Sequence, residues 1–134
     1  MAEKIFVASD ASFEDAMAFL EEQMDLAELP MKVSMQVSVA FEEMYVNVCH
    51  YAYPNEDGTV LVRIVAEDGV LKITLDDTGL PYDPLKKEDP DITLSAEERN
   101  IGGLGIFIVR KTMDDMQYEY KDGHNILTIL KKYE

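Results

Sequence analysis

Stretches of helical and of two-residue hydrophobic periodicity alternate along the chain, and their order predicts the fold. Val33, Val37, Ala40, Phe41, Met44, Val48 and Tyr51 fall in one arc when residues 31–51 are wound at about 100° per residue. This is the clearest helix. Gln36, Glu43, Asn47 and His50 fall in a second arc, roughly 80–100° from the first by the same winding. A polar stripe thus follows the margin of the buried face, an order that a solvated face alone does not need. Upstream, Phe13, Ala16, Met17, Leu20 and Met24 recur at helical spacing. Ser12 and Asp15 stand at capping-box spacing. That helix should end before Leu29-Pro30, because the residue before a proline avoids the helical region.

The remaining apolar stretches read as strands. Lys4 to Val7 is a short first strand. Thr59 to Ala66 and Val70 to Leu75 are two more, joined by the hairpin signal Glu67-Asp68-Gly69. In the second of these, Leu71, Ile73 and Leu75 alternate with Lys72 and Thr74, so one face is wet. Residues 76–101 are rich in Pro, Asp, Glu and Lys, and loops of that length are usually functional lids or mobile. Gly102 to Met113 is a helix entered through glycines. Met116 to Tyr120 and Ile126 to Lys132 close the chain as a hairpin around Asp122-Gly123. Hairpins outnumber crossovers in this order. The expectation is an α+β two-layer sandwich, with a mostly antiparallel, mixed sheet and helices packed on one face.

Composition narrows the function classes. The 134 residues are enough for one domain, 1–134. An apolar share of 47% beside 29% charged residues excludes whole-chain disorder. The formal charge of −15 repels phosphates, so neither direct nucleic-acid binding nor an anionic membrane surface is expected. The single Cys49 cannot form an internal disulfide; it reads as a small buried residue. With two His it makes no zinc site unless carboxylates join. No leader and no apolar run near 18 residues is visible, so a cytoplasmic protein is expected. Met17, Met24, Met35 and Met44 read as core. Glu14, Asp15, Glu21, Glu22, Asp25 and Glu28 read as a solvated face, or else as a surface for a basic partner.

Three constellations carry chemistry. Glu43 and Asn47, four apart on the long helix, share one face. An Asn oxygen suits a hard cation that keeps most of its waters, and a carboxylate beside it can activate a hydroxyl for attack on phosphate. Asp77-Thr78-Gly79-Leu80-Pro81-Tyr82-Asp83-Pro84 follows a strand directly. A carboxylate at such a strand end can accept a hydrogen bond from an exocyclic amine, and Gly79 allows close backbone approach; an acidic Gly-Pro turn is also a common loop. Ile101-Gly102-Gly103-Leu104-Gly105 feeds glycines into a helix N-terminus, where free N–H groups favour phosphate. No Gly-Lys-Ser/Thr follows, so it is not a P-loop.

In this order, the three resemble the nucleotide-binding boxes of the GHKL (Bergerat-fold) superfamily. The resemblance is closest to the small RsbW-like and SpoIIAB-like anti-sigma factor serine kinases. It runs from the first strand through Asn125-Ile126-Leu127-Thr128. It implies a histidine-kinase-like ATPase fold using ATP and Mg²⁺. By resemblance, Glu43 would be the general base and Asn47 the magnesium ligand. Asp77 would bind the adenine amine, with Gly79 against the ring. Gly103, Leu104 and Gly105 would hold the phosphates through backbone N–H groups. Thr128 would help hold adenine, Arg99 would reach the γ-phosphate, and residues 83–101 would form the ATP lid. Pro81 replaces the usual second glycine of the Asp box, and His50 follows Asn47 by three where relatives place a His at four. Glu42 lacks the spacing to Asn47 that Glu43 has. The resemblance further implies a homodimer that phosphorylates a STAS-domain antagonist and holds a sigma factor. The competing reading is a non-catalytic module that holds or releases a protein partner according to nucleotide state.

Overall fold

The computed structural model describes residues 1–54, 57–84 and 101–134, with the backbone alone for 101–105. Strand β1 (Ala2–Val7) leads through a short 3-10 turn into α1 (Phe13–Leu26) and then α2 (Met31–Tyr51). Strands β2 (Thr59–Glu67) and β3 (Val70–Asp77) follow, then α3 (Ile101–Thr112), β4 (Asp115–Lys121) and β5 (His124–Lys132). The long helix has the bounds its periodicity predicts. The five strands form one sheet in the order β1-β2-β3-β5-β4. All four described pairings are antiparallel.

Two tight turns set the register. Asp68 and Gly69 have φ of 54° and 77°, and Asp122 and Gly123 have φ of 54° and 82°. Positive φ at both central residues is the hairpin turn whose twist matches that of paired strands. Glu67 therefore faces Val70, and Lys121 faces His124.

One sheet face is covered by the helices. Val60, Val62 and Ile64 of β2, Leu71, Ile73 and Leu75 of β3, and Leu127 and Ile129 of β5 are buried there. From the helices come Leu20 and Met24, the α2 residues Val37, Phe41 and Met44, and Ile106 and Val109 of α3. The six acidic side chains read as a solvated face of the first helix and its C-terminal end are all exposed.

Several expectations are corrected. Tyr51, placed in the buried arc, is 46% exposed, whereas Tyr45 is fully buried. Met35 is also exposed, at 64%, because it lies on the outward side of α2. Ser12 makes no capping bond from its side chain. Its hydroxyl instead lies 2.5 Å from that of Tyr45 and 2.6 Å from the Val7 carbonyl, tying β1, α1 and α2 together. Cys49 is half-buried, and burial, with the Asp10 carboxylate second, pushes its thiol up to about 11. No helix among the described residues is long and apolar enough to cross a membrane.

Candidate functional site

The C-terminal ends of α2 and β3 meet at one recess. Strand β3 delivers Asp77 to the helix-covered face, because it alternates in step with Ile73 and Leu75. The chain then turns sharply over the end of α2. Leu80 N–H donates to the carbonyl of Ala52 at 2.8 Å, satisfying an acceptor that a helix end otherwise leaves open. The tightness of this crossing explains Gly79. A Cβ there would lie 2.2 Å from the Ala52 carbonyl oxygen. Thr78 N–H donates to the hydroxyl of Tyr53 at 2.9 Å, and that hydroxyl donates to Thr59 O at 2.7 Å. The loop is thus fixed from both sides before any ligand arrives.

Asp77 is buried, and its Oδ1 accepts from Gly79 N–H and from Asn125 Nδ2, each at 2.9 Å. Burial raises its carboxyl above the ordinary range, while the bonds from Asn125 and Gly79 pull the other way. Asn125 is buried too, and both ends of its carboxamide are engaged. Nδ2 also donates to Leu80 O at 2.8 Å; Oδ1 accepts the Tyr118 hydroxyl and the Tyr82 N–H, the latter at 3.2 Å. A carboxamide filled in this way fixes the orientation of the aspartate beside it.

On α2, Asn47 is buried one turn beyond Glu43. Its Nδ2 donates to Glu43 O at 2.7 Å and to Glu43 Oε1 at 3.1 Å. That arrangement turns Oδ1 away from the helix, where it meets the Tyr82 hydroxyl at 3.5 Å. Asn47, Asp77, Tyr82, Tyr118 and Asn125 line one pocket with Met44, Val48 and Leu127 as its apolar floor. This combination of apolar wall and few convergent polar groups is typical of small-molecule sites.

The residue types fit a hydrated divalent cation bound together with a phosphate ligand. Among the described residues, no group of three or more His, Cys, Asp and Glu side chains is placed to hold a metal. The site offers the amide oxygen of Asn47 and the neighbouring Glu43 carboxylate instead. Magnesium characteristically accepts that kind of sparse oxygen set, completing its shell with water and phosphate.

The structure brings Glu43, Asn47, Asp77 and Gly79 together but not Thr128. Asn125 is the partner strand's residue opposite Asp77, and Thr128 pairs with Thr74 on the sheet face away from the helices. Asn125 and Thr128 stand three positions apart, an odd offset, so strand alternation sends them to opposite sides. The assignment of Thr128 is therefore corrected, and Asn125 takes the place beside Asp77. His50 is likewise elsewhere: its Nε2 lies 3.0 Å from Asp10 Oδ1 at an exposed position. Gly103 and Leu104 stand within the first four residues of α3, whose N–H groups have no intrahelical acceptor; Gly105 is the fifth. Arg99 and all but the ends of the 83–101 lid lie outside the described residues.

Comparison with known proteins agrees with this architecture. The profile of the histidine kinase-like ATPase domain family matches residues 6–131. The chain is 28% identical over 102 residues to the serine-protein kinase RsbW of Listeria monocytogenes serovar 1/2a, covering 72% of this chain and 64% of that protein. It is 27% identical over 96 residues to the anti-sigma F factor of Clostridium acetobutylicum, covering 72% and 67%. The matched region thus spans just under two thirds of the Listeria relative. Among solved structures, the RsbU and RsbW domains of Rv1364c from Mycobacterium tuberculosis superpose with a TM-score of 0.65 at 12% identity, over 98% of this chain and 32% of that one. The histidine kinase AdeS of Acinetobacter baumannii gives 0.56, also at 12% identity, over 100% and 68%. Both structural likenesses concern the fold.

Proposed function

The chain belongs to the histidine kinase-like ATPase domain family, and on that premise we propose that it binds ATP with Mg²⁺ and acts as an anti-sigma factor and protein serine/threonine kinase. Its substrate is a serine or threonine on a small STAS-domain antagonist, and it works as a homodimer. The observation that carries this reading is the convergence of two buried polar side chains, Asp77 and Asn47, on one pocket, with the Glu43 carboxylate hydrogen-bonded to Asn47.

Each residue then has a task. One oxygen of Asp77 is held by Gly79 and Asn125, which orients the other to accept from the exocyclic amine of adenine. Asn47 Oδ1 would hold the cation, which when bound would neutralise the charge of the phosphates. The N–H groups at the start of α3 bind the phosphate oxygens. Glu43 takes the proton of the acceptor hydroxyl as that oxygen bonds the γ-phosphorus and the bond to the β-phosphate breaks, releasing ADP. Such transfer relies mainly on positioning and charge neutralisation. The similarity to a serine-protein kinase and an anti-sigma F factor supports the choice of acceptor and partner.

The first test is thermal unfolding with and without Mg-ATP, beside Asn47→Ala. A ligand at about 100 times its Kd stabilises by about 2.7 kcal/mol, a rise of about 5–15 °C for a domain of this size. The proposal expects a magnesium-dependent rise that Asn47→Ala removes. No rise at millimolar ATP refutes it.

A further inference from the structure

Tyr82 stands at the Asn47 end of the recess. The recess encloses about 310 Å³ with its open mouth included, but its free interior is only water-sized. That is room for one or two waters. Tyr82 lines this space, and its hydroxyl faces the Asn47 amide oxygen at 3.5 Å. Its ring is stacked on that of Tyr51, with centroids 4.7 Å apart and planes inclined by 17°. The Tyr82 backbone is anchored separately, its N–H shared between Asn125 Oδ1 at 3.2 Å and the Tyr118 hydroxyl at 3.3 Å. The ring and the main chain of Tyr82 are thus held by different partners, the main chain at the Asp77 end of the site.

We propose that Tyr82 is a side-chain stopper that competes with nucleotide for the Asn47 end of the pocket, and that its stack on Tyr51 sets the apparent affinity. The inference rests on the nucleotide reading given above. Three features support it. Stacked aromatic pairs have a definite preference for one another beyond the area they bury. Tyr51 does not line the pocket and is half-exposed, so the stack draws Tyr82 without contributing a wall of the site. And the hydroxyl reaches the same amide oxygen that the cation requires. A site whose open form is a minor fraction binds more weakly by that fraction. Loosening the stack should raise the fraction.

The test is stopped-flow association of ATP carrying an N-methylanthraniloyl fluorophore, with Mg²⁺, and calorimetric titration of unlabelled Mg-ATP. Wild type, Tyr51→Ala, Tyr82→Ala and Asn47→Ala are compared. Tyr51→Ala lies at the exposed rim and leaves the core intact. The expected result is a Kd about two- to twelvefold lower in Tyr51→Ala, matching the range of a stacked pair, with the gain in the association rate. Tyr82→Ala should also bind more tightly. Unchanged or weaker binding in Tyr51→Ala overturns the stopper, and weaker binding in Tyr82→Ala makes the ring a wall on which nucleotide packs. In both cases, wild-type binding that Asn47→Ala abolishes keeps the nucleotide site standing. If wild type itself binds no Mg-ATP, the nucleotide reading fails and the stopper with it.

Discussion

Gly79→Ala probes the crossing on which the whole site depends. A Cβ at that position would lie 2.2 Å from the Ala52 carbonyl oxygen and 2.6 Å from its carbon. Real Cβ contacts essentially never fall under 3.0 Å, so the backbone must part by about 0.8 Å. The obstructing atoms belong to main chain at the end of α2 and cannot rotate aside. Overpacking of this sort costs about 1–3 kcal/mol. Separation also stretches the 2.8 Å bond from Leu80 N–H to Ala52 O, adding about 0.5–1.5 kcal/mol. A total of about 2–4 kcal/mol lowers Tm by about 6–16 °C in a domain of this size. Gly123→Ala is the control. Its Cβ meets nothing within 4 Å, and its φ of +82° leaves only backbone strain, about 1–2 kcal/mol. Urea and thermal unfolding of the two variants provide the comparison. If Gly79→Ala is as mild as Gly123→Ala, or milder, the loop does not press on the helix as described.

Three further outcomes follow from the site. Asp77→Asn keeps an acceptor for Gly79 and Asn125 but removes a carboxylate whose pKa burial has raised. A raised acid binds more protons when folded, so its stabilising share is present below about pH 4, the ordinary aspartate value, and is lost as pH rises through the folded value. The variant should therefore match or exceed wild type in Tm at neutral pH, lose that margin towards pH 4, and fail to bind Mg-ATP; a neutral-pH Tm below wild type contradicts the burial argument. Asn125→Ala should cost about 1–3 kcal/mol by unpairing buried groups and weaken nucleotide binding, whereas Thr128→Val, on the other face, should leave that binding unchanged in calorimetry. Glu43→Gln should retain the Mg-ATP thermal shift and abolish phosphoryl transfer to the antagonist in a radiolabel assay; undiminished transfer would remove Glu43 from the role of base, and transfer absent from wild type as well would favour a nucleotide-dependent switch.

Much of the fold was legible because its determinants are local. The apolar arc of α2 gave both ends of the helix, and Asp-Gly at 68–69 and 122–123 gave both hairpins. The shared face of Glu43 and Asn47 and the strand-end position of Asp77 and Gly79 were also legible, from helix spacing and from the end of β3. The choice between Asn125 and Thr128 was not, because β5 is apolar on both sides: Leu127 and Ile129 face the helices while Ile126 and Leu130 flank Thr128. Alternation then gives no parity, and residue type pointed to the hydroxyl. Counting outward from the Asp122-Gly123 turn would have supplied it. The Ser12–Tyr45 contact spans 33 positions, beyond the reach of a capping pattern. Tyr82 carries no periodic signal, since its position comes from a stack on Tyr51 and an anchor on β5.

The two-residue turn at Asp122-Gly123 therefore governs more than the shape of a hairpin. It starts the count that places Asn125 opposite Asp77. If one inserted residue there were absorbed by a slip of β5 along β3, every side chain of β5 would change faces. Isoleucine or histidine would then adjoin the buried aspartate, and the polar clasp would vanish without any substitution at the site. Length variation at this exposed turn is for that reason a change in binding chemistry, and the turn behaves as part of the site's specification.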